Sequence, residues 1–167
     1  MLVLGLDPGS RITGWGFVEK RGASLALVEA GVFPVPTREP MARRLAYLSQ
    51  ELTVLLARRP PAAVAVETPF HGRNSRSLVV LAQARGALLA AAGAVDCAVR
   101  EYSPAEVKAA VTGNGRSDKQ QVARMVRLML GAGEGLAADA TDALAVAICG
   151  IQRARIERIS ALGVRRK

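Results

Sequence analysis

Up to residue 33 short apolar runs are punctuated by turn residues, and beyond residue 40 the apolar positions fall into helical spacing. Residues 2–6, 13–20 and 24–33 read as three strands, with turns at Pro8-Gly9-Ser10-Arg11 and Arg21-Gly22-Ala23. Strands joined so closely make an antiparallel meander. Pro40 then opens a helix with Leu45, Leu48, Leu52, Leu55 and Leu56 on one face, stopped by Pro60-Pro61. Residues 62–67 form a short apolar strand, followed by a loop over 68–74, a long helix over about 75–92 and a fifth strand over 95–102. Ser103-Pro104-Ala105-Glu106 combines a capping Ser, a Pro at the first helical position and a Glu three residues after the cap. Ser117-Asp118-Lys119-Gln120 reads as a second capping box, and a last helix begins near Asp139. The strand-helix-strand units after the meander favour one α/β domain over residues 1–152, a mixed sheet with helices on its faces. Residues 153–167 are set apart as a basic C-terminal tail.

Charge changes this picture more than composition does. The 167 residues are 50% hydrophobic and 22% charged, an ordinary balance for a chain that buries a core. A net charge of +9 is less ordinary, and its field attracts polyanions such as nucleic acid or an anionic membrane. The longest apolar stretch, 78–95, is interrupted by Gln83, Arg85 and two glycines, which argues against a membrane span. The apolar start lacks the basic residues and cleavage site of a signal peptide, so a cytoplasmic location is expected. Cys97 and Cys149 sit in apolar surroundings without metal-ligand spacing, and both are expected to be buried, reduced thiols.

The candidate chemistry lies in four acids at the ends of apolar runs. Asp7 closes the first strand and Glu67 the fourth, while Asp139 and Asp142 open the last helix. Alternation along a strand puts Asp7 on one face with Val3 and Gly5, and Glu67 with Ala63 and Ala65. Asp139 and Asp142, three apart, share a helix face near its positive end. Any one of them alone is most simply a cap or a turn residue. Together they suggest a site for a hard cation, Mg²⁺ or Mn²⁺, because no Cys or His cluster is available for zinc. Two such ions about 4 Å apart suit phosphodiester hydrolysis, one activating water and the other stabilising the leaving oxygen.

Residues 7–14 (Asp-Pro-Gly-Ser-Arg-Ile-Thr-Gly), the strand ending in Glu67, Gln83-Ala84-Arg85-Gly86 and residues 138–145 (Ala-Asp-Ala-Thr-Asp-Ala-Leu-Ala) together resemble the RuvC family of bacterial Holliday-junction resolvases. The resemblance covers about residues 2–151. It implies an RNase H-like fold, a five-stranded mixed sheet whose first three strands form the meander, with helices on both faces. It further implies a homodimer making paired, symmetric nicks in four-way DNA junctions with divalent metal, alongside the branch-migration proteins RuvA and RuvB. By position, Asp7, Glu67, Asp139 and Asp142 match the catalytic metal ligands. Lys108 and Lys119 match basic residues that meet DNA near the cut. Phe70 matches a junction-contacting aromatic, with Arg73 and Arg76 beside it as further DNA-binding candidates. An aromatic face among the polar and turn-forming residues around Phe70 can stack on an unpaired base.

Two other readings compete. Asp7-Pro8-Gly9 followed by Gly14 and Gly16 also suits a phosphate turn of an actin-like nucleotide-binding domain, although one domain of this length leaves half such a cleft missing. A non-catalytic DNA-binding module with structural acids is the second. The helix over 75–92, with Leu78, Leu81, Leu88 and Leu89, is the expected dimer contact.

Overall fold

The computed structural model describes residues 1–68 and 75–164, with side chains over 1–68 and 77–154. The meander forms as expected: β1 (Leu2–Asp7), β2 (Ile12–Arg21) and β3 (Ser24–Pro34) pair antiparallel. Gly22 takes a φ of 59°, which the tight β2–β3 turn requires. β3 carries a bulge, with Val28 the extra residue where the register shifts opposite Phe17 and Val18. α1 (Met41–Arg58) leads to β4 (Ala63–Glu67), which pairs parallel with β1. α2 (Ser75–Gly93) leads to β5 (Ala98–Tyr102), parallel to β4. The sheet order is therefore β3-β2-β1-β4-β5. Three helices complete the chain: α3 (Pro104–Thr112), α4 (Lys119–Leu130) and α5 (Ala138–Val164).

Two cores lie on opposite faces of this sheet. Leu4, Leu6, Trp15, Phe17, Val64 and Val66 point one way, onto Leu48, Leu52 and Leu56 of α1 and Leu88 of α2. Val3, Val18 and Ala65 point the other way, onto α5, which is itself covered by α3 and α4. α5 lies unusually low on the sheet. A Cβ on Gly5 would collide with the Ala143 carbonyl, and one on Gly14 with the Asp139 carbonyl. Glycine at these two positions is thus what lets the helix backbone rest on the strands.

Several details differ from the expectations. β5 begins at Ala98 because bonds from Val95 N–H to Ala92 and from Cys97 N–H to Val95 turn the preceding residues tightly. The second capping box is one residue later: Asp118 accepts from Gln121 N–H at 2.8 Å and its own N–H donates to Gln121 at 3.1 Å. Ser117 is instead buried and hydrogen-bonded to Thr112 at 2.8 Å. Cys149 is buried as expected, but Cys97 is only half-buried, since it lies in the turn before β5 rather than in a strand. α5 continues without a break past residue 152, and Arg153 pairs with Glu106 of α3 at 3.1 Å. Among the described residues no helix is long and apolar enough to cross a membrane.

Candidate active site

β1 and β4 are neighbours and parallel, so the two carboxylates at their C-terminal ends, Asp7 and Glu67, emerge side by side. The pleat sends both to the α5 face, together with Val3, Gly5, Ala63 and Ala65. There the low position of α5 delivers Asp139 and Asp142 from its first turns. A cleft of about 320 Å³ collects Asp7, Glu67 and Asp142 with Lys108 of α3 and Lys119 of α4, floored by Val107, Val122 and Ala145. Asp139 does not line it but acts on Asp7 electrostatically.

The charges in this cleft are not balanced. Burial, followed by the nearby charges of Glu67, Asp142 and Asp139, pushes the Asp7 carboxyl up to about 7, against a smaller opposing pull from Lys119. Burial and then Asp142 also raise Glu67, while a hydrogen bond from the Asp7 carboxyl, Lys108 and Lys119 oppose the rise. Lys119 Nζ lies 2.6 Å from an Asp142 oxygen, and that bond raises the lysine. A proton shared between two buried carboxyls marks a place where positive charge is wanted. The donors are all carboxylate oxygens, which fit a hard divalent cation and suit zinc or copper poorly. Among the described residues no three such groups already close around one point, so the frame supplies charge and direction rather than a finished coordination shell.

The lysines come from well-anchored helices. Ser103 accepts from Glu106 N–H at 3.3 Å and its own N–H donates to Glu106 at 2.9 Å, which fixes the start of α3 and hence Lys108 one turn on. Asp118 does the same for α4, whose first residue is Lys119. The chain leaving Glu67 is held by Thr68, whose N–H donates to the Tyr102 carbonyl at 2.8 Å. Beyond it, Phe70 and Arg73 lie outside the described residues, as does the side chain of Arg76.

The sequence pattern missed a role for Arg85. It stands on α2, half-buried, paired with Glu101 of β5, and it lines a second cavity of about 130 Å³ with Asp7, Pro8, Glu67, Thr68 and Leu81. An arginine between Leu81 and Leu88, the one charged residue in the apolar stretch over 78–95, was the available signal.

Residues 3–150 match the profile of the family described as crossover junction endodeoxyribonuclease RuvC. The chain belongs to the RuvC family. It is 51% identical to the crossover junction endodeoxyribonuclease RuvC of Anaeromyxobacter dehalogenans, over 92% of this chain and 82% of the relative. Its fold matches Thermus thermophilus RuvC with a TM-score of 0.85 at 35% identity, covering 94% of this chain and 97% of that one. It matches T. thermophilus RuvC in complex with a Holliday junction substrate equally well, with a TM-score of 0.85 at 34% identity, over 93% and 96% of the two chains. The five-stranded mixed sheet is accordingly the RNase H-like sheet of RuvC.

Proposed function

We propose that this chain is a Holliday-junction resolvase, a structure-specific endonuclease that makes paired, symmetric nicks in four-way DNA as a cytoplasmic homodimer. The observation that carries the reading is the convergence of Asp7, Glu67 and Asp142 with Lys108 and Lys119 in one cleft of a RuvC-family chain. Asp7, Glu67, Asp139 and Asp142 would hold Mg²⁺ or Mn²⁺, two ions to a site. Bound there, the ions lower the pKa of the attacking water and stabilise the leaving oxygen.

The protein's own groups then have separable tasks. The four carboxylates set the charge that selects a divalent cation and, by facing the scissile phosphate, keep bare DNA from binding tightly without it. Lys108 and Lys119 attract the phosphate flanking the cut. Lys119 exchanges its bond to Asp142 for one to DNA when the carboxylate is engaged elsewhere. Phe70, Arg73 and Arg76, which follow Glu67 in the sequence, serve as the junction-contacting group. Pairing with RuvA and RuvB rests on the family resemblance.

The dimer contact is best supported on α2, with a revised face. Leu88 is fully buried in its own subunit and is spent on the core. The outward stripe is instead Val79, Gln83, Gly86, Ala90 and Gly93, with Val79 56% exposed and open space above both glycines. Small residues in such a stripe permit a second helix to approach closely.

The test is incubation of the purified chain with end-labelled four-way and linear duplex DNA, with and without Mg²⁺ or Mn²⁺. Paired, symmetric cuts in the junction alone, only with metal, are expected. Junction binding with no cutting even when Mg²⁺ or Mn²⁺ is present would overturn the nuclease reading.

A further inference from the structure

A third cavity, of about 300 Å³, is walled by Ser10, Arg11, Thr37, Arg44, Ser77 and Val80. The β1–β2 turn joins it to the acid cleft, since Arg11 is four residues beyond Asp7. Arg44 of α1 reaches the turn and donates from Nη2 to the Ser10 carbonyl at 2.5 Å. The Arg11 carbonyl accepts from Val35 N–H at 2.8 Å, which holds its backbone while the side chain stays exposed. Two guanidinium-bearing residues therefore border one hollow, and among the described residues no acidic side chain lines it.

Arg44 is more than a clamp for the turn. Its Nε is hidden from solvent and has no acceptor among the described residues. A guanidinium carries five N–H donors in one plane and the turn takes one of them, so the fork keeps donors for an oxygen that enters the hollow. Phosphate oxygens match the planar donor fork, and Thr37 brings a hydroxyl-bearing side chain to the same wall. A turn clamp needs one Arg44 N–H; it does not account for the second arginine on the same cavity.

The geometry points to a subsite for a backbone phosphate of the substrate DNA, separate from the phosphate that is cut, held by Arg11 and Arg44. This rests on the nuclease reading above. The subsite registers the strand on the protein beside the β1–β2 turn, so that its cost on loss falls on binding rather than on the chemical step.

The experiment measures junction binding by the whole chain without divalent metal, as a function of salt between about 50 and 200 mM. Arg11→Ala and Arg44→Gln are each expected to weaken binding several-fold and to flatten the plot of log affinity against log salt by about 0.9, the slope of one phosphate contact. Arg11→Ala leaves both backbone hydrogen bonds of the turn in place, so it reads the subsite even if Arg44→Gln disturbs folding. Junctions carrying one neutral methylphosphonate at successive positions supply the second readout. One position should weaken wild-type binding and have no further effect on Arg11→Ala. Unchanged affinity and slope in Arg11→Ala, or methylphosphonate effects identical in wild type and variant at every position, would overturn the subsite. Failure of the nuclease reading shows separately, as wild-type protein that cuts no junction with Mg²⁺ or Mn²⁺, because the subsite is read from differences in DNA binding alone.

Discussion

The two faces of the sheet are built on opposite principles. On the α1 and α2 side, large side chains interdigitate: Leu4, Leu6, Trp15 and Phe17 meet Leu48, Leu52, Leu56 and Leu88. On the α5 side, Gly5 and Gly14 meet the helix backbone itself, and Gly150 of α5 packs on Ala65 and Val3. The first kind of contact buries more apolar area and gives way by side-chain repacking. Where backbone meets backbone at Gly5 and Gly14 there is no side chain to adjust, which fixes the height of the helix there. That rigidity is found where Asp7, Glu67 and Asp142, from three elements, line one cleft. One face thus chiefly supplies stability, and the other chiefly supplies position.

The sharpest test of that division is the site itself. Asp7→Asn keeps shape and removes charge, and should lower junction cleavage by more than about 100-fold, beyond the roughly 10–100-fold typical of losing a ligand's supporting partner. Junction binding should persist or tighten, because repulsion between the acids and the phosphates falls. Cleavage at the wild-type rate would remove Asp7 from the chemistry.

A matched pair of variants compares the faces directly. Gly14→Ala pushes against the Asp139 carbonyl, and overpacking of this kind costs about 1–3 kcal/mol. Leu52→Ala leaves a cavity on the other face and costs about 2–5 kcal/mol. Assayed well below their melting temperatures, Gly14→Ala should lose more than tenfold in cleavage, whereas Leu52→Ala should retain most of it despite the larger loss of stability. Equal activity losses in the two would erase the distinction between the faces.

The acid cleft should also cost stability as pH rises. A carboxyl raised to about 7 holds its proton in the folded state after the unfolded chain has released it, so unfolding releases protons between about pH 4 and 7. Stability contributed by Asp7 is therefore full below about pH 4 and lost as pH rises through 7, an effect on the order of a few kcal/mol at most. Melting curves of metal-free protein should fall from pH 5 to pH 8. Mg²⁺ or Mn²⁺ should restore the loss at pH 8, and Asp7→Asn should flatten the pH dependence. A melting temperature that climbs with pH over this range would contradict the charge imbalance.

The smallest expected change in fold is at the outer face of α2. Gly86→Leu has open space in the subunit and should leave the melting temperature of the monomer nearly unchanged, while sedimentation shifts from dimer towards monomer. An unchanged dimer would move the contact off this stripe.

Much of this arrangement was legible along the chain because it depends on local pattern. Period-two alternation put Asp7 on the face of Val3 and Gly5, and Glu67 on that of Ala63 and Ala65, which is the face they occupy. Turn and cap chemistry likewise marked the meander and the start of α3. The cap of α4 was missed by one residue because Ser117 and Asp118 are both good caps, and only burial of Ser117 against Thr112 decides between them. Leu88 drops out of the expected dimer face for a similar reason. Leucines at helical spacing mark an apolar face without saying which core consumes it, and Leu88 goes to the sheet.

The sequence by itself determined which residues carry charge, which strand face each acid takes and where each helix can begin, because these depend on neighbours within a few positions. Only the tertiary structure decided that β1 and β4 lie side by side, that α5 rests on Gly5 and Gly14, and that Arg44 meets the turn at Ser10. Those contacts join residues 34 to 138 positions apart or depend on the height of one layer above another, and no local preference encodes either. The raised carboxyl of Asp7 belongs to the same class, since burial and three acids from two other elements produce it together.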